Sequence, residues 1–328
     1  MPAQKKLIPQ VRALLVERGQ KALELARQTI LRERIEFKPL QDALSYFILD
    51  WEDVLHPGLL SLCCEAMGGK RETTYLVGAA LVLLAGGADI HDDVIDQSTI
   101  KDSKPTVFGK FGKDIAILAG DTLLFKGLYT LQEACEVLPT NQKKLIMETT
   151  ERAFFKITGA EAKEASLRQK IDLAPEEYFD VIKEKVAVSE ATAKIGALLG
   201  GATLDDSENL GKFGRTFGIL FTLRDEFIDV FELDELKNRV ENECLPLPVL
   251  FALGDSKKAE GIKRLLTLGQ ITEKEMKIIP DLVMGSKKTC ELRREMRTMI
   301  KQERIRLAPL KHCRNQLMLL LRAMVEDL

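Results

Sequence analysis

With 328 residues, 30% of them charged and a net charge of only −2, the chain carries no general electrostatic attraction to nucleic acid or to an anionic membrane. Its lysines and arginines are spread rather than clustered, and no Gly-, Ser- or Pro-rich linker divides it, so a single domain over residues 1–328 is expected. The six cysteines (Cys63, Cys64, Cys135, Cys244, Cys290, Cys313) lack zinc-ligand spacing and read as free thiols of a reducing compartment. No signal-peptide-like apolar core follows Met1, which makes a cytoplasmic protein the expectation.

Residues 4–33 repeat Leu7, Val11, Leu14, Leu15, Leu23 and Leu25 in a helical pattern. A second pattern covers 38–67, with an interruption expected near His56-Pro57 because proline cannot donate the intrahelical bond; Gly68-Gly69 stop it. Residues 72–96 are apolar on nearly every side, and such a helix must be buried on every side. Its longest apolar run, Leu76–Ala88, falls short of a membrane span, and no membrane insertion is expected. After a loop around Lys101–Pro105, helices are expected over 112–137, 141–172, 175–202 and 206–231, with Pro139 and Pro175 at the breaks. Residues 232–246 read as polar and irregular, lying over the mouth of any cavity beside Asp225–Asp229. Helices of decreasing regularity follow over 247–253, 255–267, 272–282 and 286–326. Nothing alternates as a strand or repeats at a fixed period, so the fold class is all-α.

The central helix ends in Asp89-Ile90-His91-Asp92-Asp93-Val94-Ile95-Asp96. Side chains three and four apart share a helix face, so Asp92, Asp93 and Asp96 project together. They repel one another, and a helix C-terminus disfavours anions. A hard cation such as Mg²⁺ would repay that cost through oxygen ligands. For so short a pattern alone, a solvated acidic helix end is the simpler reading. A second apolar helix, however, ends in Arg224-Asp225-Glu226-Phe227-Ile228-Asp229 with the same spacing. Two such ends facing each other across a cavity would hold several Mg²⁺ ions and a diphosphate between them.

From about Pro57 to Leu253 the chain resembles the trans-isoprenyl diphosphate synthase, or polyprenyl synthetase, family. The resemblance is carried in order by His91-Asp-Asp-Val-Ile-Asp96, Lys104-Pro105-Thr-Val, Ile117-Leu-Ala-Gly-Asp-Thr-Leu-Leu124, Lys185-Val-Ala, Phe213-Gly-Arg-Thr-Phe-Gly218, Asp225-Glu-Phe-Ile-Asp229 and Leu247-Pro-Val-Leu250. It implies a bundle of long helices around a deep central cavity, usually dimeric. It also implies Mg²⁺-dependent departure of diphosphate from an allylic prenyl diphosphate, followed by addition of the cation to isopentenyl diphosphate. By this likeness Asp92, Asp93 and Asp96 bind metal from one wall, and Asp225, Glu226 and Asp229 from the other; Glu226 stands where the family commonly has Asp. Lys185 matches the lysine that contacts the allylic diphosphate, its alternative reading being a solvated helix lysine. Glu161 and Glu164 fall where the family has a polar pair facing the cavity, and a surface position suits them as well.

Several positions depart from the family. Aligned on Pro57, the basic residues that grip isopentenyl diphosphate are replaced by Asp53, Val54 and His56. The polar residue before the first cluster is Ala85, the arginine pair after it is Lys101-Asp102, and the lysine before Leu247 is Cys244. Lys101 is thus the one cation of that pair to survive, a candidate diphosphate contact. Acids in place of cations would turn attraction for a second diphosphate into repulsion. The reading that follows is a terpene-synthase-like enzyme: an allylic cation is formed and then cyclises, loses a proton or captures water, without isopentenyl diphosphate. The alternatives are a polyprenyl diphosphate synthase holding isopentenyl diphosphate through different residues, and a non-catalytic subunit of an active relative. In the family the residues four and five before the first Asp set cavity depth. Here they are Ala88 and Gly87, expected to contact a long substrate, although close helix packing would use small residues too. Asp89 shares the metal face one turn deeper. It either meets a basic side chain such as Lys185 or a neighbouring hydroxyl, or it faces the prenyl chain as a catalytic carboxylate.

Overall fold

The structure, a computed structural model, describes residues 6–101, 103–266 and 277–328. In chain order its helices are α1 (Leu7–Leu31), α2 (Lys38–Asp50), α3 (Leu55–Ala66), α4 (Tyr75–Ile95), the short α5 (Val107–Phe111), α6 (Lys113–Cys135), α7 (Thr140–Leu167), α8 (Pro175–Lys185), α9 (Ala187–Leu199) and α10 (Leu204–Asp229). Then come α11 (Leu233–Asn242), α12 (Leu247–Leu253), α13 (Ala259–Leu266), α14 (Ile279–Met284), α15 (Lys287–Arg306) and α16 (Arg314–Ala323). The all-α class holds. Between α4 and α5 lies a hairpin of two two-residue strands, β1 (Ile100–Lys101) and β2 (Lys104–Pro105), too short to show alternation in the sequence.

Helix α4 is the axis of the bundle, as its all-round apolar surface requires. Val77, Ala79, Ala80, Val82, Leu83 and Ile90 are buried around it. Together with the one-turn helix before it (Arg71–Thr74), it has the length and composition of a membrane span, contrary to the estimate from the apolar run alone; 61% of its 18-residue apolar window is buried inside the bundle. Its closest neighbour is α6. A Cβ on Gly87 would stand 2.8 Å from the Gly120 carbonyl oxygen, so only glycine lets these two backbones approach as they do. One apolar core joins α1, α2, α4 and α6 through Leu23, Leu44, Ile48, Leu83 and Leu123. A larger one joins α8, α9, α10 and α12 to the C-terminal helices through Tyr178, Phe213, Phe217, Leu250, Met296 and Leu320.

Four boundaries differ from expectation. The second helical pattern breaks at Trp51–Val54 rather than at Pro57, which sits in the first turn of α3, where its missing N–H would have no partner anyway. The pattern over 175–202 divides at Val186, leaving Lys185 as the last residue of α8. Residues 232–246 are not irregular: Leu233, Leu236 and Val240 give α11 an apolar edge, with Leu236 fully buried. The C-terminal pattern breaks between Arg306 and Arg314, around Pro309 and the left-handed Cys313. Parts of the helices expected over 4–33, 255–267 and 272–282, and the whole of Asp102, lie outside the described residues.

Candidate active site

A cavity of about 810 Å³ opens between the α2–α3 connection, α4, the β1–β2 hairpin, α7, the α8–α9 junction and α10. Its floor and sides are apolar: Phe47, Trp51, Ala85, Ala88, Val186 and Phe221. Its charged groups are Asp89, Asp92 and Asp93 from α4, Glu161 from α7, Lys185 from α8, and Asp50, Glu52, Asp53, His56, Lys101 and Lys104 at the rim.

The structure brings Asp92, Asp93 and Lys185 to this one cavity, whereas Asp96 does not line it. Asp92 is partly exposed there, while Asp93 is buried. Burial, then the neighbouring Asp89, push the Asp93 carboxyl up to about 7 against the opposing pull of Lys101. Asp96 is raised in the same direction by burial and by Asp92, although Arg168 lies against it and also donates to the Ile95 carbonyl. Such crowding of partly buried carboxylates is an excess of negative charge that a divalent ion would relieve. Among the described residues no three His, Cys, Asp or Glu side chains already converge on one point. The donor set therefore suits an ion held by one or two carboxylates and completed by phosphate oxygens and water, as Mg²⁺ usually is.

Lys185 is no solvated helix lysine. Its Nζ donates to Glu164 Oε2 at 2.5 Å and lies 3.0 Å from Glu161 Oε1. Burial opposes its charge, but Glu164, Glu161 and Asp92 outweigh that and hold it firmly protonated. Glu161 thus lines the cavity, and Glu164 is joined to it through Lys185.

Other expected site residues fall elsewhere. Asp89 meets a base: Lys101 Nζ donates to its Oδ1 at 2.6 Å, which makes Lys101 rather than Lys185 its partner and leaves the carboxylate engaged in an ion pair rather than free toward a prenyl chain. Ala88 is exposed to the cavity, but Gly87 does not line it; Gly87 packs on Gly120 and Leu124 of α6, so its small size serves helix contact. Asp225, Glu226 and Asp229 do not line the cavity; Phe221 and Thr222, one turn earlier on α10, do. Glu226 is 4% exposed with both oxygens engaged. Its Oε1 accepts from Arg239 Nη2 at 2.8 Å and lies 3.0 Å from Tyr178 Oη, and its Oε2 accepts from the Leu247 N–H at 2.6 Å. It is not available as a metal ligand. Asp229 accepts from Arg239 Nη1 at 3.1 Å; burial nevertheless pushes its carboxyl up to about 7. Asp225 remains exposed, without such a partner among the described residues.

Two features were missed in the sequence. Arg239, 8% exposed on α11, organises the second acidic cluster, and its only signal was being one of two cations, with Lys237, in an acidic stretch. Asp53, read as a bare negative charge, accepts from the His56 backbone N–H at 3.1 Å and from its Nδ1 at 2.8 Å. Burial disfavours the imidazolium, but Asp53 more than compensates and raises the His56 pKa. That pairing follows from the helix start at Leu55, which was placed elsewhere.

Comparison with known proteins bears on the whole arrangement. The sequence pattern of the family described as polyprenyl synthetase matches residues 38–282. A geranylgeranyl diphosphate synthase of Sulfolobus acidocaldarius is 32% identical over 226 residues, 69% of this chain and 66% of that protein. One of Saccharolobus solfataricus is 29% identical over 244 residues, 74% of this chain and 70% of its own length. The crystal structure of geranylgeranyl pyrophosphate synthetase from Pyrococcus horikoshii superimposes with a TM-score of 0.85 over 98% of this chain and 99% of that one, at 23% identity, a likeness of fold. These relatives carry the names of chain-elongating synthases, which overturns the expectation of a terpene-synthase-like enzyme without isopentenyl diphosphate. With most of its length matched to the family pattern and with the same fold, the chain belongs to the polyprenyl synthetase family.

Proposed function

We propose that the chain is a Mg²⁺-dependent polyprenyl diphosphate synthase that ionises an allylic prenyl diphosphate and joins it to isopentenyl diphosphate, giving a product of geranylgeranyl length or longer. The observation that carries this reading is the pairing of three acids that line the cavity with cations. Asp53 holds His56 at 2.8 Å, Asp89 holds Lys101 at 2.6 Å and Asp50 holds Lys104 at 2.6 Å. Asp53, the described acid that stands in place of one of the family's basic residues, is thus neutralised on the spot by His56 and presents no bare repulsion to a second diphosphate. An ammonium has three donors and an imidazolium two, so each cation keeps hydrogen-bonding capacity toward a ligand beyond its carboxylate.

In this reading Lys185 binds the allylic diphosphate, with Glu161 and Glu164 fixing its position, and His56, Lys101 and Lys104 receive isopentenyl diphosphate. Mg²⁺, held by Asp92 and Asp93 with Asp96 at the same helix end, would neutralise the charge that develops on the departing diphosphate. The apolar walls at Phe47, Ala85, Ala88 and Phe221 keep water from the allylic cation and receive the prenyl chain. A non-catalytic subunit would have no use for so costly a carboxylate array around an apolar cavity. Location in the cytoplasm agrees with six unpaired cysteines. A homodimer accounts for the face of α6 where Leu118, Phe125 and Tyr129, 48–73% exposed, recur at helical spacing.

His56→Ala and Lys101→Ala test the rim. Loss of a close charge contact of ~1.4 kcal/mol should raise KM for isopentenyl diphosphate about tenfold. KM for the allylic substrate should stay within about twofold of its starting value. An unchanged KM for isopentenyl diphosphate in both variants would remove the rim from the binding site.

A further inference from the structure

Lys185 is the cavity end of a buried chain of hydrogen bonds. Its Nζ donates to Glu164 Oε2, and Glu164 Oε1 lies 3.1 Å from Tyr178 Oη. Tyr178 is 2% exposed, and its hydroxyl is also 3.0 Å from Glu226 Oε1 and 2.9 Å from Arg239 Nη2. A phenol has one proton to give and lone pairs with which to accept. Arg239 can only donate, so the tyrosine oxygen accepts from it. Glu226 needs nothing from the tyrosine: its Oε1 already accepts from Arg239 Nη2, and its Oε2 accepts from the Leu247 N–H. Glu164 Oε1 has no other protein donor among the described residues. The tyrosine proton therefore goes to Glu164. Arg239 is in turn immobilised by the Cys244 carbonyl, 2.8 Å from Nε, and by Asp229, 3.1 Å from Nη1.

We infer that Tyr178, fixed by Arg239, is a positioning residue for Lys185: it pins Glu164 so that the ammonium is presented to the allylic diphosphate. The inference rests on the role given above to Lys185. It also ties the second acidic helix end to the diphosphate subsite through hydrogen bonds, although that helix end does not line the cavity. Without the hydroxyl, Glu164 keeps its charge but loses one of its two anchors, and the lysine follows whichever rotamer the carboxylate then adopts.

The test is the affinity of farnesyl thiolodiphosphate, which does not ionise readily, measured by calorimetry with Mg²⁺. Tyr178→Phe should weaken it by ~tenfold, the scale of one hydrogen bond to a charged group. Binding of isopentenyl diphosphate should remain within about twofold, a selectivity that a general loss of structure would not give. In a Lys185→Ala background the same substitution should have no further effect, because the group being positioned is gone. Wild-type affinity in Tyr178→Phe, or an equal loss in both backgrounds, would overturn the inference. Lys185→Ala binding as tightly as wild type would instead remove the role of Lys185 itself. Should Tyr178→Phe not fold, Arg239→Lys asks the same question: it keeps the charge and loses the planar fork, so selective weakening supports the inference and unchanged affinity overturns it.

Discussion

Gly87→Ala should loosen the contact between α4 and α6 and leave product length alone, while Ala88→Phe should shorten the product. The two residues are adjacent, but one faces a helix and the other the cavity. A Cβ on Gly87 would stand 2.8 Å from both the Gly120 carbonyl oxygen and Leu124 Cγ, and 3.0 Å from the Leu124 nitrogen. Non-bonded carbon contacts are comfortable at about 3.5–4.0 Å, and two of these three obstacles are backbone, which cannot rotate aside. The helices must part locally, and overpacking of this kind costs about 1–3 kcal/mol. Alanine in place of glycine within a helix returns about 1 kcal/mol. The net loss is then ~0–2 kcal/mol, or a Tm lowered by a few degrees at about 2–4 °C per kcal/mol. Ala88 instead lines the cavity, and under the proposed function an aromatic ring there would occupy space needed by the growing chain. Thermal unfolding followed by chromatography of the dephosphorylated products separates the two effects. A Gly87→Ala enzyme of unchanged Tm that makes shorter chains, or Ala88→Phe with full-length product, would refute the division of roles.

Three further outcomes follow from the same geometry. Asp92→Ala and Asp93→Ala should each reduce diphosphate release at least ~10²-fold, the usual scale for removing a group that stabilises developing charge, as read by a pyrophosphate assay. Asp93 titrates near 7 in the fold against 3.8 as the ordinary value, so the folded state binds more protons than the unfolded chain between these limits. Its contribution is therefore fully present below pH ~4 and lost as pH rises through ~7, and added Mg²⁺ should raise Tm more at pH 8 than at pH 5; equal Mg²⁺ effects at both would contradict this. Asp89→Asn removes the carboxylate that engages Lys101 at 2.6 Å, so KM for isopentenyl diphosphate should fall with product identity unchanged, and a new product profile would restore a catalytic role to Asp89.

What could be read in the sequence was what local spacing encodes. The all-round apolar surface of α4, the carboxylates at its end and the helical class follow from periodicity within one element, and Lys185 from the series of motifs around it. What could not be read was the partner of each charge. Asp53 looked like a reversal of sign because its cation, three residues on, depends on where α3 begins. Asp89 finds Lys101 only through a hairpin with strands of two residues. Glu226 kept the spacing of a metal ligand, yet its fate is decided by Arg239 on a helix whose apolar edge is three residues long. The error about the second substrate came from summing formal charges at aligned positions, when the fold had already paired Asp53 with His56.

The central claim is elongation at a rim of paired charges. Purified protein should be incubated with Mg²⁺, farnesyl or geranylgeranyl diphosphate and radiolabelled isopentenyl diphosphate, and the products separated by chain length. Label recovered in a prenyl diphosphate longer than the allylic substrate is the predicted result. Pyrophosphate released from the allylic substrate with no label incorporated would contradict it.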